Sequence, residues 1–231
     1  MAVITCASGK GGVGKTLVAI SLSAALTAEG VDAGLLDADP NRGAYRWATE
    51  TYEGAVRPLP AYAEADTERL ADLVPMLVDR HAVLICDTAG FGNRSTVICI
   101  GAADGVIVPA SPGEGDIIEA RKMVGFVQGT AKTIRRDIQA RVLANRIRQG
   151  TLLSRHLIAQ IEALELPRLA TTLSEAVAYG ELGFAPSLPT TGLAAQEIAA
   201  LLAELRELGW LPLAEPAPVT EHATRITSIT V

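Results

Sequence analysis

The chain has 231 residues, 49% of them hydrophobic, with a mean hydropathy of +0.28, a formal net charge of −6 and a pI near 5.2. That composition excludes a disordered chain, and no apolar run reaches the roughly 18–20 residues that cross a bilayer as a helix. The acidic average argues against a nucleic-acid partner. Yet Lys132, Arg135, Arg136, Arg141, Arg146, Arg148 and Arg155 fall in one stretch with Asp137 as its only acid, so positive charge is concentrated locally.

The run from Met1 to Cys6 has no basic flank and leads straight into a strand-like segment, which argues against a signal peptide. Residues 3–7 are predicted as a short buried strand. Residues 16–29 are predicted as a helix, with Leu17, Ile20, Ala24 and Leu26 near helical spacing and Gly30 suited to a left-handed cap. A second strand is predicted at 33–37. A helix follows at 65–78, in which Pro75 marks a kink or a break. Strands are predicted at 83–86 and 106–109, a helix at 114–127, a strand at 141–144, and helices at 152–164 and 194–208. Cys6 and Cys86 lie in apolar strand-like runs, and with Cys99 they show no metal-ligand spacing. Buried reduced thiols and a cytoplasmic location are the expectation.

Continuous apolar strands alternating with helices indicate an α/β fold: one domain, a mostly parallel twisted sheet, helices on both faces. The domain is expected over residues 1–211. Residues 212–231, with Pro212, Pro216 and Pro218 and then many Thr, are expected to be a flexible tail.

Between the first strand and the first helix stands Ser8-Gly9-Lys10-Gly11-Gly12-Val13-Gly14-Lys15-Thr16. Gly9, Gly14, Lys15 and Thr16 satisfy G-x-x-x-x-G-K-[ST], the phosphate loop of P-loop NTPases. Glycines let backbone N–H groups turn inward on phosphates, and the helix N-terminus adds favourable dipole charge. Lys15 reaches the β- and γ-phosphates, and the Thr16 hydroxyl ligates Mg²⁺. The run from Gly9 to Leu17 is therefore the expected nucleotide-binding segment. The second strand ends in Asp37-Ala38-Asp39-Pro40-Asn41 and the third in Asp87-Thr88-Ala89-Gly90. Carboxylates at strand ends beside a triphosphate would repel it unless a metal or a water needs them, and Asp87 has the look of a Walker B aspartate.

The extra lysine makes the motif more specific. Lys10-Gly11-Gly12-Val13-Gly14-Lys15-Thr16 resembles the deviant Walker A motif of the ParA/MinD ATPases, and the resemblance extends over residues 2 to about 208. It implies ATP and Mg²⁺ as ligands and a homodimer formed on ATP binding. Lys10 would then reach across to the partner's phosphates. Asp37-Ala38-Asp39-Pro40-Asn41 resembles the family's first switch, which implies that Asp39 orients the attacking water and Asp37 helps hold the Mg²⁺ shell with Thr16 and Asp87. Lys10, Lys15 and Asp39 are thus the implied catalytic residues. Residues 106–109 resemble the strand leading into the second switch. Leu173-Ser174-Glu175-Ala176, with Gly180, resembles the segment that closes over the adenine side, where Asn145 would read the base. There are departures. Thr88-Ala89-Gly90-Phe91 stands where the family has Pro-Pro, and Asn41 stands where it has Gln.

The chain begins at the first strand, as in the short ParA type, which implies DNA binding without sequence preference. Arg121, Lys122, Arg146, Arg148, Arg155 and Arg168 are the candidate DNA contacts. Plasmid or chromosome partition with a ParB-like or other small stimulating partner, on the nucleoid, is the expected role. Asn41-Arg42 and Arg46-Trp47 also resemble the small ParA-like proteins of conjugative and tumour-inducing plasmids, which assist transfer-DNA processing. A protein cargo is a further alternative. A MinD-like membrane anchor is not expected, because residues 220–231 contain no Leu, Phe or Trp. A dethiobiotin-synthetase-like ligase would not need Lys10. A nitrogenase-iron-protein role would need two cluster cysteines per subunit, and Cys6 and Cys86 are expected to be buried in strands.

Overall fold

Val83-Leu84-Ile85-Cys86 and Val106-Ile107-Val108 have no polar face, so strands built from them must be covered on both sides. The computed structural model, which describes residues 1–54, 58–90 and 92–213, meets that demand. Seven strands run in chain order as β1 Ala2–Cys6, β2 Ala33–Asp37, β3 Ala61–Ala63, β4 Val83–Asp87, β5 Gly105–Ala110, β6 Gln139–Ile147 and β7 Arg168–Ser174. They form one sheet in the order β3-β2-β4-β1-β5-β6-β7, and each neighbouring pair is parallel.

The helices are α1 Lys15–Ala28, α2 Gly43–Arg46, α3 Thr67–Arg80, α4 Arg94–Ala102, α5 Glu114–Ile134, α6 Leu152–Ala163, α7 Val177–Glu181 and α8 Gly192–Glu207. A π turn over Trp47–Thr51 continues α2. Because strand side chains alternate in direction, Ile4, Leu35, Val83, Ile85, Ile107 and Leu143 join a core with Leu22 and Leu26 of α1 and Ile198, Leu201 and Leu205 of α8. Their neighbours Val3, Leu36, Leu84, Cys86, Val106, Val108 and Val142 join a second core. That core contains Leu70 and Leu77 of α3, Ile100 of α4, Met123 and Val127 of α5 and Ile161 of α6. The three cysteines are all buried and free.

The structure departs from the sequence expectation at several elements. Helix α3 runs unbroken through Pro75. Its buried residues Leu70, Val74 and Leu77 lie on one side, while Pro75 and Ala71 are exposed. The Ala71 carbonyl left without an N–H partner therefore faces water. Helix α5 continues past 127 to Ile134, where Arg135 takes a left-handed cap conformation. Strands β3 and β7 and helices α2, α4 and α7 are additions. The two strands are the sheet edges, where one face is only half-covered and the apolar signal fades. The edge of β7 is closed by carboxylates of α8. Glu204 accepts from the N–H groups of Ala170 and Thr171 at 2.6 and 2.8 Å, and Glu197 accepts from Ser174 N–H at 3.0 Å. Most of the expected tail, residues 214–231, lies outside the described residues, as does Phe91.

Candidate nucleotide and metal site

Strand order decides what meets at the carboxyl ends, which is where parallel sheets bind ligands. β1 lies between β4 and β5, and β2 lies beside β4. The loop after β1 therefore has the Asp87 strand end on one side and the start of α5 on the other, with Asp37 one strand further. The register aligns Cys6, Asp87 and Asp37 across β1, β4 and β2.

The loop itself has the form of an anion cradle. Gly12 and Gly14 have φ of 79° and 99°, a left-handed backbone that disfavours other residues. A Cβ on Gly14 would also lie 2.2 Å from Asn145 Nδ2. Helix α1 starts at Lys15 with no side chain capping its first N–H groups, so these donors remain available to phosphate. Lys15 is only 8% exposed. Its Nζ lies 3.2 Å from Ser8 Oγ and 3.4 Å from the Lys10 carbonyl oxygen, inside the cradle.

Beside it, Thr16 Oγ1 donates to Asp87 Oδ2 at 2.7 Å. Asp87 Oδ1 is buried without a hydrogen-bond partner. Burial, reinforced by the Asp37 charge, pushes the Asp87 carboxyl up to about 7 against the opposing Thr16 hydrogen bond. A buried orphan carboxylate oxygen next to a threonine hydroxyl fits a Mg²⁺ shell, which would stabilise the charged form. Asp37 is fully buried and raised in pKa by burial, and its oxygens accept from the N–H groups of Asp39 and Tyr45, each at 3.0 Å. It shapes the loop after β2 from within. Asp39 is half-buried, and its Oδ1 accepts from Asn41 N–H at 2.8 Å. Ser95, in the first turn of α4, donates to the Ala38 carbonyl at 3.1 Å and so ties that helix to the loop between the two aspartates.

On the other side of β1 the structure adds a residue that sequence reading missed. The Lys10 ammonium forms an ion pair with Asp116, in the first turn of α5. The only sequence signal for Asp116 is its place just after an apolar strand. Asn145 Nδ2 donates to the Val13 carbonyl at 2.8 Å and its Oδ1 accepts from Arg146 N–H at 2.9 Å, so here it braces the phosphate loop. Next to it, Ser111, Pro112, Arg146, Arg148, Thr151, Leu153 and Glu175 line a cavity of about 420 Å³, with Arg148 paired to Glu175 across it.

The six candidate DNA contacts do not form one patch. Arg121 and Lys122 are exposed on α5, where Lys122 pairs with Glu119 at 2.8 Å, and Arg155 is exposed on α6. Arg146 and Arg148 stand at the end of β6, whereas half-buried Arg168 opens β7 beside Val142. Four to six strand residues separate those positions, about 13–20 Å at the usual rise. Among the described residues no helix is long and apolar enough to cross a membrane.

Comparison with known proteins agrees with this geometry. Protein ParA of Rhizobium radiobacter is 34% identical over 116 residues, which is 48% of this chain and 50% of that protein, so the match spans about half of its length. The maintenance of carboxysome distribution protein A of Halothiobacillus neapolitanus is 24% identical over 170 residues, 74% of this chain and 78% of that protein. The ATP complex of Cyanothece McdA superposes with a TM-score of 0.73 at 17% identity, covering 93% of this chain and 99% of that one, a likeness of fold. The family described as VirC1 protein matches residues 1–207. The chain belongs to that VirC1 protein family, within the ParA/MinD class of ATP-binding P-loop NTPases.

Proposed function

We propose that this protein is an ATPase that dimerises on binding ATP, binds DNA without sequence preference, and segregates or positions plasmid or chromosomal DNA with a small stimulating partner of ParB type. The observation that carries the reading is the division of labour between two lysines of one loop. Lys15 is buried inside the cradle, while the Lys10 side chain is 52% exposed and turns away from the cradle toward α5. A lysine needed only for its own subunit's phosphates would point inward. An outward one suits the phosphates of a second copy, where it neutralises charge developing on the transferring group.

In this reading the N–H groups from Gly11 to Thr16 and the Lys15 ammonium bind the phosphates, and Thr16 and Asp87 hold Mg²⁺. When bound, the metal would neutralise phosphate charge. Asp39 lies on the switch loop held by Asp37 and orients the attacking water. Asn145 and the cavity beside it take the base. The exposed arginines and Lys122 contact DNA phosphates, and two subunits double that count.

A second reading keeps the ATPase but assigns it to transfer-DNA processing. It is favoured by Arg42 and Arg46, both exposed around α2 next to the switch loop. There they could engage a nucleic acid or a partner directly at the nucleotide site. The discriminating experiment measures binding to a random-sequence duplex with ATP, ADP or no nucleotide, across a salt series. Binding only with ATP, falling steeply with salt and indifferent to sequence, supports partition-type positioning. Preference for one duplex sequence favours the transfer-DNA reading, and no binding in any state removes the DNA surface.

A further inference from the structure

The two lysines are mechanically connected. Lys15 Nζ reaches the carbonyl oxygen of Lys10 itself, at 3.4 Å, so the cradle lysine touches the backbone that carries the outward lysine. The Lys10 side chain is meanwhile drawn across to α5, where its ammonium meets Asp116, a carboxylate only 7% exposed. A Cβ on Gly115 would lie 3.9 Å from the Lys10 nitrogen, so the ammonium rests against the first turn of α5. A cation is unfavourable at that position, because a helix N-terminus is the positive end of its dipole. Asp116 is what makes the location tenable. Removing Lys10 in turn leaves a nearly buried carboxylate without its cation. The contact is thus firm enough to hold, and only a stronger counter-charge such as a triphosphate can draw Lys10 away.

We propose that Asp116 is a positioning residue that keeps Lys10 in cis until nucleotide arrives. Phosphates entering the cradle take the Lys15 ammonium away from the Lys10 carbonyl, which loosens the backbone at Lys10. Lys10 then exchanges Asp116 for the triphosphate of a second subunit. ATP occupancy and subunit pairing are coupled through this exchange, and an isolated subunit does not present a free lysine to other polyanions. The inference rests on the reading of Lys10 as acting in trans.

The test measures dimer fraction against ATP concentration by light scattering for the full chain, with hydrolysis measured in parallel. Asp116→Asn should lower the ATP concentration at half-dimerisation by about 2- to 5-fold, the effect of losing one partly exposed ion pair. Turnover at saturating ATP should not change. Asp116→Glu should restore the wild-type midpoint, and in a Lys10→Ala background, which forms no dimer, Asp116→Asn should not bring the dimer back. An unchanged or raised midpoint in Asp116→Asn would overturn the proposal, since a merely structural aspartate would alter the melting temperature alone. If Asp116→Asn does not fold, Asp116→Ser carries the same expectation. Should Lys10→Ala dimerise and turn over normally, the trans reading itself fails. Should Lys10→Ala be impaired while Asp116→Asn leaves the midpoint in place, only the role of Asp116 fails.

Discussion

The two sides of β1 are built from different chemistry. Toward β4 and β2 lie Asp37, Asp39 and Asp87, carboxylates crowded at strand ends, two of them fully or almost fully buried and raised in pKa. Toward β5 and β6 lie Asp116 paired with Lys10, and Asn145 with Arg146 and Arg148 around a cavity. The first side is an electrostatic debt that a cation settles. The second is already neutralised by its own partners. The proposed metal would sit on the first side, and the proposed exchange of partners on the second.

The sharpest way to break this comparison is at the cradle between the two sides. Lys15→Ala should lower ATP affinity by about 100-fold or more, since it removes charge-assisted contacts of roughly 1.5–3 kcal/mol each. Near-normal affinity by calorimetry would remove the cradle assignment. Asp39→Ala should slow hydrolysis by about 10²- to 10⁴-fold while ATP still binds, giving a long-lived dimer visible by size-exclusion chromatography. Lys10→Ala should abolish the dimer yet change ATP binding by the monomer less than about tenfold, because the exposed side chain leaves its own cradle intact. A titration of ATP into the monomer checks this.

A smaller effect sharpens the carboxylate side. Asp87 is raised from 3.8 to about 7 in the fold, so the native protein binds a proton that the unfolded chain has lost between those values. Its contribution is least unfavourable at low pH and becomes destabilising as pH rises through about 7, and Asp37 acts in the same direction. Thermal melts of nucleotide-free protein should therefore fall across that window, and Mg²⁺ with ATP should flatten the slope. A slope unaffected by Mg²⁺ and ATP would place the metal elsewhere.

The amino-acid sequence by itself determined the architecture and the phosphate cradle, because both depend on local physics. Apolar runs of four or five residues without a polar face, alternating with helical segments, suit central strands, and the spacing from Gly9 to Thr16 fits one backbone shape between a strand and a helix. Asp37, Asp39 and Asp87 were legible for the same reason, each sitting at the end of an apolar run. The edge strands β3 and β7 were not, since half-covered strands carry a weak pattern and β7 depends on Glu197 and Glu204 from a distant helix. Pro75 pointed to a break that its solvent-facing position makes unnecessary. Tertiary structure alone decided that Asp116 meets Lys10 across 106 residues, that Ser95 holds the loop after β2, and that Asn145 braces Val13. It also decided that Arg146 and Arg168 lie toward opposite ends of neighbouring strands. Each depends on strand order, and strand order is set by which surfaces pack together over the whole chain and not by any stretch of it.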